Sequence, residues 1–201
     1  ASLAPSEMCI RDSVHSYYSI LDGQASISRL VDKAIADGMR GMALTDHGNM
    51  MGVKDFFNYV QKKKGGASKD FKKAEAQLKE LQAKAQEAAT DPCSVVLNDG
   101  KTLADAMAET EKAMEKAKRV MDFKPIIGCE MYCARRTKFD KTLKEDRSGW
   151  HLVVLAKNEV GYHNLVKLVS RAWVDGFYMK PRTDKADLEQ FKDCLLYTSL
   201  M

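Results

Sequence analysis

The sequence predicts an α/β fold, in which buried strands alternate with amphipathic helices. Short apolar runs at residues 42–44, 126–132 and 152–156 have the length and composition of strands that helices cover on both faces. Apolar residues recur at helical spacing over residues 27–35 and 165–172, before and after these runs. At least three alternations of strand and helix are present, which suits either a barrel or a doubly wound sheet.

The composition is that of a folded domain. The 201 residues are 45% hydrophobic and 30% charged with a net charge of +4, so nucleic acid is permitted as a partner but not required. Five cysteines without a Cys-x-x-Cys pair argue against a disulfide framework and for a reducing compartment. No apolar run approaches the roughly 20 residues of a membrane span, and no signal peptide is recognisable. We therefore expect a cytoplasmic protein that does not contact a membrane.

The first helix and strand lead to a polar stretch. Ser26 is placed to cap the helix over residues 27–35. The strand at residues 42–44 then stops at Asp46 and His47, which are residue types that a core seldom accepts unpaired. These two side chains either hydrogen-bond each other and cap the next helix, or they deliver chemistry to the strand end. The stretch alone leaves both alternatives open.

A segment of different composition interrupts the alternation. A second amphipathic helix over residues 53–60 runs into the lysine- and glycine-rich residues 62–66. Residues 61–123, rich in Ala, Lys, Glu and Gln, predict two long helices separated by a turn at residues 91–100. An inserted antiparallel helical hairpin is the simplest explanation. Its 13 Lys and Arg nearly balance its 11 Asp and Glu, which favours a solvated spacer over a nucleic-acid-binding arm.

A later strand carries a carboxylate where a core residue is expected. Pro125 can only open a strand, and residues 126–132 can continue it. Side chains alternate along a strand, so Glu130 faces away from Cys129 and needs a polar partner. His151 starts the following strand. Because barrel sites gather at the carboxyl ends of strands, position alone favours a structural role for His151.

Six titratable residues lie where apolar elements end, and they come from four separate segments: His15, Asp22, Asp46, His47, Glu130 and His151. Imidazole and carboxylate groups are ligands of zinc, manganese and iron, and the strand ends of an α/β barrel converge at one mouth. Cations held together by carboxylates neutralise charge on a phosphoryl oxygen. The set predicts a metal-dependent phosphoesterase, although Asp22, before Gly23, also suits a simple turn.

Five segments in order carry a specific resemblance: residues 15–23 (HSYYSILDG), 43–49 (ALTDHGN), 124–130 (KPIIGCE), 151–158 (HLVVLAKN) and 176–182 (GFYMKPR). Together they resemble the polymerase and histidinol phosphatase (PHP) domain family, in the form found at the N-terminus of bacterial DNA polymerase III alpha subunits. Five motifs in sequence are far more specific than any one of them alone.

The resemblance implies a distorted (β/α)7 TIM-like barrel with a trinuclear centre of zinc, manganese or iron. It implies a catalytic role for His47, with Asp46 orienting that imidazole. The first family motif is His-x-His, whereas this sequence has Ser13 at the earlier position. The metal ligands that the resemblance implies are His15, Asp22, His47, Glu130 and His151.

The resemblance also divides the chain. Residues 14–60 and 124–193 correspond to the PHP domain, with residues 61–123 as the insertion. Residues 1–13 and 194–201 resemble translated adapter sequence, and we expect them to be non-native. On this interpretation the barrel is truncated and the fragment alone is inactive.

The function implied is that of a replicative DNA polymerase. Such a parent protein copies DNA with magnesium and contacts other replisome subunits, and its PHP domain is a candidate metal-dependent 3′-5′ exonuclease. Two alternatives remain open: a free-standing PHP phosphoesterase, and a domain that acts only as a replisome scaffold.

Overall fold

The computed structural model describes residues 13–20, 22–87, 95–97, 100–147 and 149–199. Residues 1–12 of the predicted leader and most of the predicted turn at 91–100 lie outside these ranges. The helices are α1 (Ile27–Ala36), α2 (Val53–Glu87), α3 (Leu103–Asp122), α4 (Glu159–Val174) and α5 (Lys185–Gln190). The strands are β1 (Gly41–Leu44), β2 (Lys124–Ala134), β3 (Gly149–Ala156), β4 (Arg182–Thr183) and β5 (Leu195–Ser199).

The helices begin where the sequence supplies capping side chains. Ser26 accepts a hydrogen bond from the Arg29 amide at the start of α1, and Asn158 accepts one from the Gly161 amide at the start of α4. In α2 the structure joins two predicted helices, because the helix continues through Gly65 and Gly66. Each glycine costs a helix about 1 kcal/mol relative to alanine, and the strong helix formers around them outweigh that cost.

The described chain forms two compact units. One contains the described residues up to Tyr59 and from Lys124 on, and the other is Val60–Phe123. In the second unit, buried side chains recur every seven residues on each helix: Val60, Ala67, Ala74 and Leu81, then Leu103, Thr110 and Ala117. This spacing is typical of helices that pack along a seam.

No helix in the described ranges combines the length and apolar character needed to cross a bilayer.

A mixed five-stranded sheet organises the first unit. The strand order is β1-β2-β3-β5, and β4 also pairs with β2. β2 runs parallel to β1 and β4, whereas β3 is antiparallel to both β2 and β5. β5 lies within the tail that the sequence predicts to be non-native.

One face of the sheet packs on α4. Cys129 and Met131 of β2 lie in a buried cluster with Val154 of β3 and with Leu165 and Leu168 of α4. Alternation along β2 turns Glu130 away from this cluster, as the sequence predicts. The opposite side of β2 therefore holds the polar groups.

Candidate metal centre

Strand register places His47 beside Glu130. The parallel pairing of β1 with β2 joins Gly41 to Lys124, and the same offset continues beyond β1 to an isolated bridge between His47 and Glu130. The Gly48 amide donates to the Glu130 carbonyl (2.8 Å), and the Glu130 amide donates to the Asp46 carbonyl (3.0 Å). The polar stretch after β1 thus lies against the middle of β2.

The Glu130 carboxylate is surrounded by three imidazoles. Its side chain is 2% exposed, with Oε2 lying 3.1 Å from His15 Nε2. Oε1 lies 2.5 Å from His151 Nδ1 and 3.5 Å from His47 Nδ1. The rings of His15 and His47 are stacked, with centroids 4.0 Å apart.

Three of the predicted ligands form a compact group, and two extend it. Candidate ligand atoms of His15, His47 and Glu130 all lie within 4.8 Å of one another. Asp22 joins at the rim, where its Oδ2 is 3.1 Å from His47 Nε2 and its side chain is 63% exposed. His151 joins the group through the contact of its Nδ1 with Glu130 Oε1. All five predicted ligands therefore meet at one place, whereas His163 lies apart as an exposed residue on α4.

His151 reaches the site because β3 runs antiparallel to β2. His151 pairs with Tyr132, which makes it a diagonal neighbour of Glu130 on the same face. The start of an antiparallel strand lies beside the carboxyl end of its partner. The doubt about His151 from its position in the sequence therefore rested on a strand direction that the structure does not have.

The Asp46 carboxylate makes its hydrogen bonds with serines. Oδ1 accepts from the Ser16 amide (2.7 Å) and from Ser19 Oγ (2.7 Å), and the Ser16 hydroxyl lies within 3.1 Å of both oxygens. The Ser19 hydroxyl also accepts from the His47 amide and lies 3.2 Å from His15 Nδ1. Sequence reasoning missed both serines. Their spacing from His15 within the first motif was the available signal.

Tyr132 and Lys180 complete the surroundings of the imidazoles, and sequence reasoning missed both. The Tyr132 ring lies near both His47 and His151, with centroid distances of 6.1 and 5.0 Å. Lys180 Nζ lies 4.3 Å from the centre of the Tyr132 ring. The ammonium group brings positive charge to the edge of the cluster.

Gly48 allows the chain to turn at this point. Its φ is +60°, and a Cβ atom here would lie 2.7 Å from Pro181 Cγ. Its carbonyl accepts a hydrogen bond from Trp173 Nε1 (2.7 Å). The turn after His47 is thus held tightly by neighbouring elements.

Burial and neighbouring charges shift the pKa values of the group. Burial lowers the pKa of the His47 imidazole below its ordinary value, and the adjacent His15 lowers it further. Burial by itself would raise the pKa of Glu130, but the contact with His15 and the charge of His47 outweigh burial and leave that pKa at about 2. An ionised carboxylate beside neutral imidazole is the state in which both groups bind a metal.

The donor atoms fit a divalent cation. Among the buried side-chain polar atoms of the described residues, three lack a hydrogen-bond partner: His47 Nδ1, Glu130 Oε2 and Thr183 Oγ1. Two of these belong to the cluster, and unpaired buried atoms are costly unless a ligand satisfies them. Ser13, whose Oγ is 2.9 Å from His15 Nε2, lies at the same place. The chemistry of the site is therefore that of imidazole and carboxylate metal ligands.

Comparisons with known proteins agree with this geometry. The PHP domain profile matches residues 13–200. The DNA polymerase III subunit alpha of Borreliella burgdorferi is 36% identical over 189 residues, which are 92% of this chain and 11% of that protein. The Treponema pallidum subunit is 33% identical over 187 residues, again 92% of this chain and 11% of the relative. The chain thus spans about a tenth of the length of these relatives. This chain belongs to the PHP domain family.

Proposed function

We propose that this chain is the N-terminal PHP domain of a replicative DNA polymerase alpha subunit, and that its polar cluster is a metal-dependent phosphoesterase site acting as a 3′-5′ exonuclease. The observation that carries the proposal is the group formed by His15, His47 and Glu130. Two of its ligand atoms are buried without hydrogen bonds. The matched DNA polymerase III alpha subunits supply the context of DNA synthesis.

Each residue of the cluster has a proposed role. His15, His47 and Glu130 hold the metal at the centre of the site, and Asp22 and His151 add ligands at its edges. A complete domain would hold up to three zinc, manganese or iron ions. Bound divalent cations supply a Lewis acid that neutralises charge on a phosphoryl oxygen and lowers the pKa of water.

Two residues of this chain would act around the metals. Lys180 makes no ion pair with any residue in the described part of the chain and lies beside Tyr132, next to the ligands. Its charge favours the approach of a phosphate group. Asp46, which the sequence associates with catalysis, would act through Ser19 on the two histidines.

The architecture proposed for the domain is a distorted (β/α)7 barrel. The parallel pairings of β2 with β1 and β4 support it. Residues 14–60 and 124–193 would form the barrel portion, and residues 61–123 an inserted antiparallel helical hairpin. The heptad spacing of buried side chains on α2 and α3 supports the hairpin.

The wider function belongs to the longer protein. There, DNA synthesis with magnesium would be carried out by other domains, with DNA and replisome subunits as partners. The names and lengths of the matched relatives support this part of the proposal.

Metal binding and strand trimming test the proposal together. We expect zinc or manganese to bind to the 201-residue chain in calorimetric titration, with binding lost in His47→Ala. In the longer polymerase with histidine restored at position 13, we expect a mispaired 3′ end to be trimmed. Normal trimming after His47→Ala and Glu130→Ala together would falsify the nuclease role.

A scaffold role is the second candidate, and Ser13 is the observation that favours it. A serine hydroxyl is a weaker metal ligand than imidazole, so the site here has fewer strong ligands than the His-x-His motif provides. A scaffold predicts that Ser13→His raises metal affinity without producing trimming, while His47→Ala and wild type support polymerisation equally.

A further inference from the structure

We propose that Asp46 and Ser19 act as positioning residues that fix the tautomer of His15, leaving the Nε2 lone pair directed at the metal site. The argument starts from the Ser19 hydroxyl, which has one proton to donate and two lone pairs. The proton goes to Asp46, because Oδ1 lies 2.7 Å away and a carboxylate can only accept.

The lone pairs of Ser19 decide the position of the His15 proton. One lone pair accepts from the His47 amide at 3.0 Å. The other faces His15 Nδ1 at 3.2 Å, so Nδ1 must carry a proton for this contact to be a hydrogen bond. Ser19 then makes one donated and two accepted hydrogen bonds, which is its full capacity.

The contacts of the other ring nitrogen of His15, Nε2, are consistent with this tautomer. A neutral imidazole protonated at Nδ1 has a lone pair at Nε2. Nε2 lies 2.9 Å from the Ser13 hydroxyl, which can donate to it. It also lies 3.1 Å from Glu130 Oε2, so the Nε2 lone pair and this carboxylate oxygen can face the same cation.

The relay therefore runs from Asp46 through Ser19 to His15. It is a different role from that of orienting the His47 ring, whose nitrogens face Asp22 and Glu130. Second-layer hydrogen bonds of this kind fix the tautomer of a metal-binding histidine and raise its basicity. Without the Ser19 hydroxyl, the proton is free to move to Nε2 and donate to Glu130, which would block His15 as a ligand.

Nitrogen NMR of the 201-residue chain in EDTA, at about pH 8, tests the tautomer directly, since imidazole is neutral there. In wild type we expect His15 Nδ1 to be protonated and Nε2 to have the shift of an unprotonated nitrogen. A His15→Gln variant assigns these signals among the four histidines. Protonation of His15 Nε2 in wild type would overturn the proposal.

Three serine variants test the relay. Ser19→Ala should move the His15 proton to Nε2 wholly or partly, and Ser19→Thr, which keeps a hydroxyl, should restore the wild-type pattern. Ser16→Ala is the matched control, because it removes a hydroxyl from the same carboxylate without touching His15. An unchanged His15 tautomer in folded Ser19→Ala would refute the relay.

A metal titration adds a second arm, which rests on the proposed function. Zinc affinity should fall about 10- to 100-fold in Ser19→Ala and stay within about threefold in Ser16→Ala. If the expected tautomer is seen but wild type binds no zinc, the relay stands and the proposed function fails. Equal zinc affinity in wild type and Ser19→Ala would refute the prediction that the Ser19 hydrogen bond strengthens zinc binding by His15.

Discussion

Two buried charges, Glu130 on β2 and Arg182 on the neighbouring β4, have opposite surroundings. Arg182 is fully buried, and its guanidinium donates to the backbone carbonyls of Lys138, Asp140, Asp146 and Gly176 at 2.7 to 3.2 Å. Glu130 is 2% exposed, yet its Oε2 accepts no hydrogen bond. One charge is satisfied by the fold, whereas the other faces imidazoles with an unpaired atom.

The contrast separates a structural charge from a functional one. Arg182 joins the segment after β2 to the turn at Gly176, so its hydrogen bonds hold chain segments together. Glu130 instead contacts three imidazoles, those of His15, His47 and His151, which are themselves candidate ligands. Removing the first should damage the fold, and removing the second should damage binding.

The largest effect is expected from Arg182→Ala. It removes the donor from four backbone carbonyls, three of them in buried contacts, and we expect the free energy of unfolding to fall by about 3–5 kcal/mol. Urea denaturation measures this loss. Arg135→Ala is the control, since the exposed Arg135 stacks on the ring of Trp150, and it should cost less than about 1 kcal/mol. Similar losses of unfolding free energy in the two variants would show that the hydrogen bonds of Arg182 stabilise the fold no more than a surface stacking contact does.

Glu130→Gln should act on metal binding as well as on stability. The amide keeps the shape but loses the charge that binds a cation, so we expect zinc affinity to fall at least about 100-fold, equivalent to about 2.7 kcal/mol. The unfolding free energy of the metal-free protein near neutral pH should also fall, because the charged form of Glu130 is stabilised in the folded chain, so the loss of zinc affinity is the expected mark of this variant. Calorimetric titration and urea denaturation measure the two quantities. The exposed Glu145 provides the control variant Glu145→Gln, and a loss of affinity there would show that the effect is nonspecific.

The Glu130 charge should also make the stability of the folded chain depend on pH. Its pKa of about 2 lies below the ordinary value of 4.5, so its contribution to stability is present above about pH 4.5 and is lost as pH falls toward 2. The lowered pKa of His47 acts in the same direction below about pH 6.5.

We expect Glu130→Gln to flatten the stability profile of the metal-free protein by on the order of 1–2 kcal/mol between about pH 5 and pH 3. Denaturation curves in EDTA across this range measure it. Glu145→Gln should keep the wild-type slope. Parallel profiles for wild type and Glu130→Gln would mean that Glu130 has no lowered pKa in the folded chain.

Local patterns in the sequence were sufficient for much of the first unit. The apolar stripe over residues 27–35 corresponds to α1, and the capping role of Ser26 is confirmed. The alternation that separates Cys129 from Glu130 is also seen in β2. These features depend on neighbours within a few residues, so a single sequence contains them.

Strand direction and long-range hydrogen bonds could not be predicted in this way. His151 looked misplaced because the sequence does not show that β3 runs antiparallel to β2. Ser19 looked ordinary because its partner Asp46 is 27 residues away. The helix break expected near Gly65 did not occur, because helix propensity summed over the segment outweighs two glycines.

The smallest effect is expected at the rim of the cluster. Asp22 is 63% exposed and contacts His47 through one oxygen, so water and a bound metal compete for the same carboxylate. We expect Asp22→Asn to weaken zinc binding by about tenfold and to leave the unfolding free energy within about 0.5 kcal/mol of wild type. Calorimetric titration measures the affinity.

Asp37→Asn is the matched control for this last variant, because Asp37 is a surface carboxylate that pairs with Lys33 on α1. It should leave zinc affinity unchanged. A loss in Asp22→Asn as large as that in Glu130→Gln would mean that the exposed carboxylate is as important to the metal as the buried one. Burial would then not be what distinguishes the central ligands from those at the rim.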